Sequence, residues 1–212
     1  MIYEKILNSN YFKKIYGEIE EKKKDFPVNH GFIHINNVIY YAQELAKIFH
    51  LSEEEKELLF IACTLHDIGY LINREQHPQL GANLAKEYLQ NNFSLNNKDI
   101  DIICNAIKNH GGKQENNFEN KVSLCLILAD KLDFATNRYL DNTEKYPQVI
   151  PFKNIIKITP RLLESTFYID IKTLKRYDYT NIDYFAKLQA ILNTFTKATN
   201  IKTSLNFICE NN

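Results

Sequence analysis

The apolar run at residues 122–129, Val-Ser-Leu-Cys-Leu-Ile-Leu-Ala, constrains the fold most strongly. It is too short for a membrane span of ~20 residues, so it is read as a well-buried helix. The run leads straight into Asp130, and a carboxylate in that position is expensive to bury unless it is paired or binds a metal. A second apolar helical pattern, with Leu58, Leu59, Ala62 and Leu65 facing inward, runs into Thr64-Leu65-His66-Asp67-Ile68-Gly69. Neighbouring helical residues point about 100° apart. His66 and Asp67 therefore reach different sides of a metal placed off the helix end, and further ligands must come from other parts of the chain.

Those parts can be found by periodicity. Residues 2–24 read as one helix with Ile2, Ile6, Ile15 and Ile19, broken at Phe26-Pro27. After Asn29-His30-Gly31-Phe32-Ile33, the residues His34, Val38, Tyr41, Leu45 and Ile48 follow the spacing of a single helical face. Ser52 with Glu55 has the form of a capping box for the helix that leads to His66, and Gly69 is expected to end that helix. His77-Pro78 opens the next helix, with His77 expected at its N-cap and Gly81 and Ala82 small enough for a neighbour to approach. Asn96 or Asn97 caps a helix whose Ile100, Ile103, Ile107 and His110 share one face before Gly111-Gly112 stops it.

Beyond residue 150 the pattern changes. Residues 155–159 and 167–171 read as short strands by β-branched and aromatic content, Phe185, Leu188, Leu192 and Phe195 mark an amphipathic helix, and residues 205–208 form a weak last strand. The expected architecture is mainly α. A helix occupies residues 1–27, a helical bundle 28–148 and a small α+β element 149–212, which packs against the bundle or a second subunit.

Composition excludes more than it suggests. Lys plus Arg equals Asp plus Glu at 26 each, so overall charge gives no sign of a nucleic-acid footprint. Cys63, Cys104, Cys125 and Cys209 show no CxxC spacing, which fits a reducing compartment. Residues 1–25 contain no apolar signal core and no run approaches a membrane span. A cytoplasmic location without membrane partners is the expectation, and a homo-oligomer stays open.

His34, the His66-Asp67 pair, His77, His110 and Asp130 place one potential ligand group on each successive helix or helix end, leaving His30 and His50 outside the set. In this order they resemble the HD-domain superfamily of metal-dependent phosphohydrolases, whose pattern is H…HD…D, often with two further histidines before the last Asp. His-Gly-Phe-Ile-His34, Thr-Leu-His66-Asp67-Ile-Gly, His77-Pro, Asn-His110-Gly and Leu-Ala-Asp130-Lys carry the likeness, over about residues 28–140. The resemblance implies that His34, His66, Asp67 and Asp130 hold a first divalent ion. It also implies that Asp67 bridges to a second ion held by His77 and His110, with iron, manganese, cobalt or zinc fitting such mixed N/O ligands.

The implied activity is hydrolysis of a small nucleotide or other phosphate ester by metal-activated water, with Asp67 positioning that water. Lys113, Lys131 and Arg138 are the candidates to hold phosphate oxygens. The branch acting on the stringent-response alarmone carries Glu-Asp after the HD pair, where this chain has Gly69-Tyr70-Leu71-Ile72, and the Gly-Tyr-Pro signature of the cyclic-di-GMP branch is absent. The histidine pair is closest in kind to the diadenosine-tetraphosphate hydrolase branch, without its local pattern around Asp130-Lys-Leu-Asp133. Two other readings compete: a di-iron oxygenase of the same fold, and a sensor or adaptor that keeps metal only for stability.

Overall fold

The buried run lies in α7 (Lys121–Leu132), whose N-terminus is capped by Asn120 accepting from the Ser123 amide at 2.8 Å. Every residue from 122 to 130 is buried, because other helices cover α7 on several sides. The computed structural model describes residues 1–23, 28, 30–118, 120–139 and 146–210. Packed on α7 are α3 (Phe32–Ile48), α4 (Glu53–Leu65) and α6 (Asn97–Asn109), and α5 (His77–Asn92) lies against α6. The helical part of the expected architecture is present, and no helix among the described residues is long and apolar enough to cross a membrane.

Local chemistry explains where these helices begin. The Ser52/Glu55 capping box closes in both directions, with the Glu55 amide donating to Ser52 Oγ at 3.2 Å and the Ser52 amide to Glu55 Oε2 at 2.8 Å. Asn96, rather than Asn97, caps α6 through the Asp99 amide at 2.9 Å. Gly112 has φ +64, the left-handed conformation that lets the chain turn away after α6.

Three expectations need correction. Residues 2–24 are not one helix: α1 (Ile2–Asn8) and α2 (Asn10–Lys23) are separated at Ser9, whose extended backbone and Oγ, accepting from the Phe12 amide at 3.1 Å, restart the chain. Gly69 does not end α4, which stops at Leu65, and lies instead in a 3₁₀ turn over Ile68–Leu71. His77 is the first residue of α5, and Gln76 takes the N-cap position. The predicted break at Phe26-Pro27 lies outside the described residues.

What Gly69 provides is proximity. A Cβ there would meet the carbonyl oxygen of His77 at 2.2 Å, and one on Gly81 would lie 3.0 Å from the carbonyl oxygen of His66. Two missing side chains thus let the start of α5 press against the turn that carries His66 and Asp67. Tyr16 of α2 braces the same turn from beneath, its buried hydroxyl donating to the Thr64 carbonyl at 3.0 Å.

The C-terminal strands are longer than expected: β1 (Ile155–Leu163), β2 (Thr166–Thr173) and β3 (Lys202–Cys209) form one sheet in that order. β1 and β2 are antiparallel across a tight connection with Glu164 at φ 53. β2 and β3 are parallel, Ile169 opposite Leu205, which requires the crossover that α8 (Asp183–Thr199) supplies. Alternate residues of β2 point inward, and Phe167 meets Phe195 of α8 at 5.9 Å. Phe49 at the end of α3 joins this cluster, and Phe134 and Phe118 extend it, so the element shares an aromatic core with the bundle.

Gly69→Ala should destabilise the chain by about 1–3 kcal/mol, because the added carbon forces apart two backbones. Gly17→Ala, with open space around it, should instead leave stability unchanged or raise it by up to ~1 kcal/mol, as expected in a helix interior. Thermal melts of the two variants check this, and equal melting temperatures would show that the turn and α5 separate freely.

Candidate metal centre

Five helix ends bring the predicted residues together. His34 projects from the first turn of α3, His66 and Asp67 follow the end of α4, His77 starts α5, His110 follows α6 and Asp130 lies in the last turn of α7. His34 and His66 are fully buried, Asp67, His110 and Asp130 are buried, and His77 is half-buried. All six sequence candidates meet at one end of the bundle.

Each histidine is aimed by its second nitrogen. Nδ1 of His66 faces the Cys63 carbonyl at 2.9 Å, that of His77 the Arg74 carbonyl at 2.6 Å, and that of His110 the Ile107 carbonyl at 2.6 Å. A carbonyl oxygen only accepts, so in all three the Nδ1–H donates and Nε2 keeps its lone pair. His34 is held in the same sense by Asp133, Nδ1 to Oδ2 at 2.6 Å. Consequently His34 Nε2 faces His66 Nε2 at 3.3 Å, and His77 Nε2 faces His110 Nε2 at 3.0 Å.

Lone pairs set against each other at these distances repel unless a cation or proton lies nearby. Ligands about 2.0–2.2 Å from an ion end up ~3 Å from one another, which is the spacing found here. The donor set also suits a divalent ion: three groups, His30/His34/Asp67, His34/His66/Asp130 and Asp67/His77/His110, each keep their ligand atoms within 4.8 Å of one another. Asp67 occurs in two of them. Its Oδ1 faces His66, His77 and His110 at 3.4, 3.5 and 3.9 Å, and its Oδ2 faces His34 and His30 at 3.4 and 3.5 Å.

Electrostatics follow from burial and crowding. Burial lowers the pKa of His110 to about 3, with His66 acting in the same direction. Burial likewise lowers His30 to about 4 against the pull of Asp67. Burial also pulls on His34, but its bonds to Asp133 and Asp67 outweigh it and the pKa is raised. Asp67 and Asp130 resist the upward push of burial: the imidazoles around Asp67 and the Lys131 ammonium beside Asp130 hold both well below the usual carboxylate range.

Two functional residues escaped the sequence reading. His30 stacks on Tyr70 at 4.7 Å and faces Asp67, although it was left outside the set; its spacing of four from His34 was the available signal. Asp133 orients His34 and is itself held by Asn37 Nδ2 at 2.8 Å and by Arg138, and its place three residues after Asp130 puts both acids on one side of the chain. Arg138 is buried, its Nη1 donating to the Asp133 carbonyl at 2.5 Å. Lys131 pairs with Asp130. Arg138, Lys131 and Lys113 all line a cavity of about 590 Å³ that opens over Asp67, His77, His110 and Asp130.

Asp133→Asn should lower metal affinity about 10–100-fold by loosening the grip on His34, measured by competition with a chromogenic chelator; unchanged affinity would reduce Asp133 to a packing residue. The metal-free protein should also lose stability as pH falls. His30 and His110 have folded pKa values below the unfolded value near 6.5, so the unfolded chain binds more protons between there and about 3–4. His66, also lowered, adds to this, whereas the raised pKa of His34 opposes it. Urea titrations from pH 7 to 4.5 should show the decline, and a flat profile would contradict it.

Comparison with known proteins agrees with this geometry. The family model described as HD domain matches residues 31–135, the segment that carries all six predicted ligand residues. None of the curated proteins compared with the chain matches it. The matched segment, and the histidine and aspartate groups that converge within it, make this chain a member of the HD-domain superfamily of metal-dependent hydrolases.

Proposed function

We propose that the protein is a metal-dependent phosphohydrolase that cleaves a small nucleotide or other phosphate ester. The observation that carries this reading is the position of Asp67, one oxygen turned to His66, His77 and His110 and the other to His34 and His30. A carboxylate set between two donor groups is what a dinuclear centre needs.

His34, His66, Asp67 and Asp130 would hold one divalent ion, and His77 and His110 a second that shares Asp67. Bound there, such ions act as Lewis acids and lower the pKa of water towards ~7. The chain's own part is positional. The Nδ1 anchors keep four imidazoles from rotating away, so little reorganisation is needed as charge develops on the phosphate. Lys131 and Arg138, at the edge of the acids, offset the negative charge that a phosphate adds to a site already holding Asp67 and Asp130. Lys113, exposed and lining the same cavity, can meet an anionic group of the substrate directly.

Metal analysis after gentle purification should give about two ions per chain, falling to about one in His77→Ala or His110→Ala with most hydrolysis lost. The assay is a panel of phosphate esters offered to protein loaded in turn with manganese, iron, cobalt and zinc. Oxygen consumption without ester hydrolysis would replace this reading with the oxygenase, and turnover of neither kind with any metal would leave the non-catalytic one.

A further inference from the structure

The cavity is closed on its far side by a part of the chain that lies outside the HD match: Lys187, Ile191 and Thr194 of α8 form that wall together with neighbouring residues. The wall meets the bundle at the turn after α6. A Cβ on Gly112 would lie 3.2 Å from Cγ2 of Ile191, so the backbone next to Lys113 runs against the face of α8 that carries Ile191. Lys187 precedes Ile191 by four residues, one helical turn along the same face. Lys113 and Lys187 therefore reach the cavity from opposite sides of a single seam.

These two cations differ from the others around the cavity. Lys131 is paired with Asp130 and Arg138 with Asp133. Neither Lys113 nor Lys187 has an ion-pair partner among the described residues, and both are exposed. A cavity of this volume lies within the ~300–1,000 Å³ range that accommodates a drug-sized molecule, far more than one phosphate. Two unpaired ammonium groups lining such a cavity, which also opens over the clustered aspartates and histidines, are arranged for a ligand with more than one negative group.

We infer that Lys113 and Lys187 form a second anion subsite, so that the substrate carries a further phosphate group besides the one placed over the aspartates and histidines. The inference rests on the phosphohydrolase reading for the first phosphate, but the subsite makes its own demand on binding. It also gives α8 a role in selection: the superfamily core would supply the chemistry and the C-terminal element would choose the ester.

The test compares adenosine 5′-monophosphate, adenosine 5′-diphosphate and adenosine 3′,5′-bisphosphate on manganese-loaded full-length protein, by calorimetric Kd and by kcat/KM. The wild type should prefer one of the two-phosphate compounds over the monophosphate by about tenfold, as a charge-assisted contact provides. That ratio should collapse towards one in Lys187→Ala and in Lys113→Ala and survive in Lys187→Arg. Lys197→Ala, in the last turn of α8 and away from the cavity, should leave it intact. The inference is overturned if the wild type shows no preference, if none of the three compounds binds, or if the preference persists in both alanine variants. Should nothing be hydrolysed with any metal while the Kd ratio behaves as stated, the phosphohydrolase reading fails and the subsite stands.

Discussion

Ionised carboxylates inside a helical core are the condition on which this structure depends. Asp67, Asp130 and Asp133 are all buried among apolar helices, where an isolated charge would cost far more than the whole stability of a domain. Each must be met by groups brought from elsewhere in the chain. That requirement draws the start of α3, the ends of α4 and α6, the start of α5 and the Arg138 turn to a single point. The surrounding apolar packing makes the bundle, but the carboxylates decide which ends of the helices must coincide.

The C-terminal element fits the same logic from outside. It contains no histidine, and its buried side chains are patterned for packing, yet α8 is held close to the centre by the Tyr184 hydroxyl, which donates to the Lys131 carbonyl at 2.7 Å. Phe185 and Phe195, on the same helix, anchor it to Phe134 and Phe118 of the bundle. A packing surface and a cavity wall are thus two faces of one helix, and changes on the outer face can alter the cavity without disturbing the aromatic core.

Much of this was legible in the sequence, because helical periodicity and side-chain chemistry are local. The apolar spacing of α3 put His34 on an inward face, and the Ser52/Glu55 and Asn96 caps marked two helix starts. What stayed hidden was set by contacts between distant residues. Gly69 looks like a helix terminator in one dimension, but its reason for being glycine is the carbonyl of His77, which only the folded chain brings near. His30 lies just ahead of α3 and so fell outside the periodic stripe. Ser9 breaks the first helix because its hydroxyl offers the Phe12 amide an alternative partner, a competition that the isoleucine spacing does not record. The parallel pairing of β2 with β3 was beyond reach, since strand content alone does not specify a partner.

The bond between His34 and Asp133 joins residues 99 positions apart. Closing so long a loop must be offset by many other contacts first, and the carbonyls that aim His66 and His110 exist only once α4 and α6 have formed. The centre can therefore assemble only late, when nearly the whole bundle is in place, and no fragment ending before α7 contains it. An ion held by His34, His66, Asp67 and Asp130 would clamp α3, α4 and α7 to one another, so that metal uptake and the stability of the bundle would be linked, and its release would remove the restraint from all three helices at once.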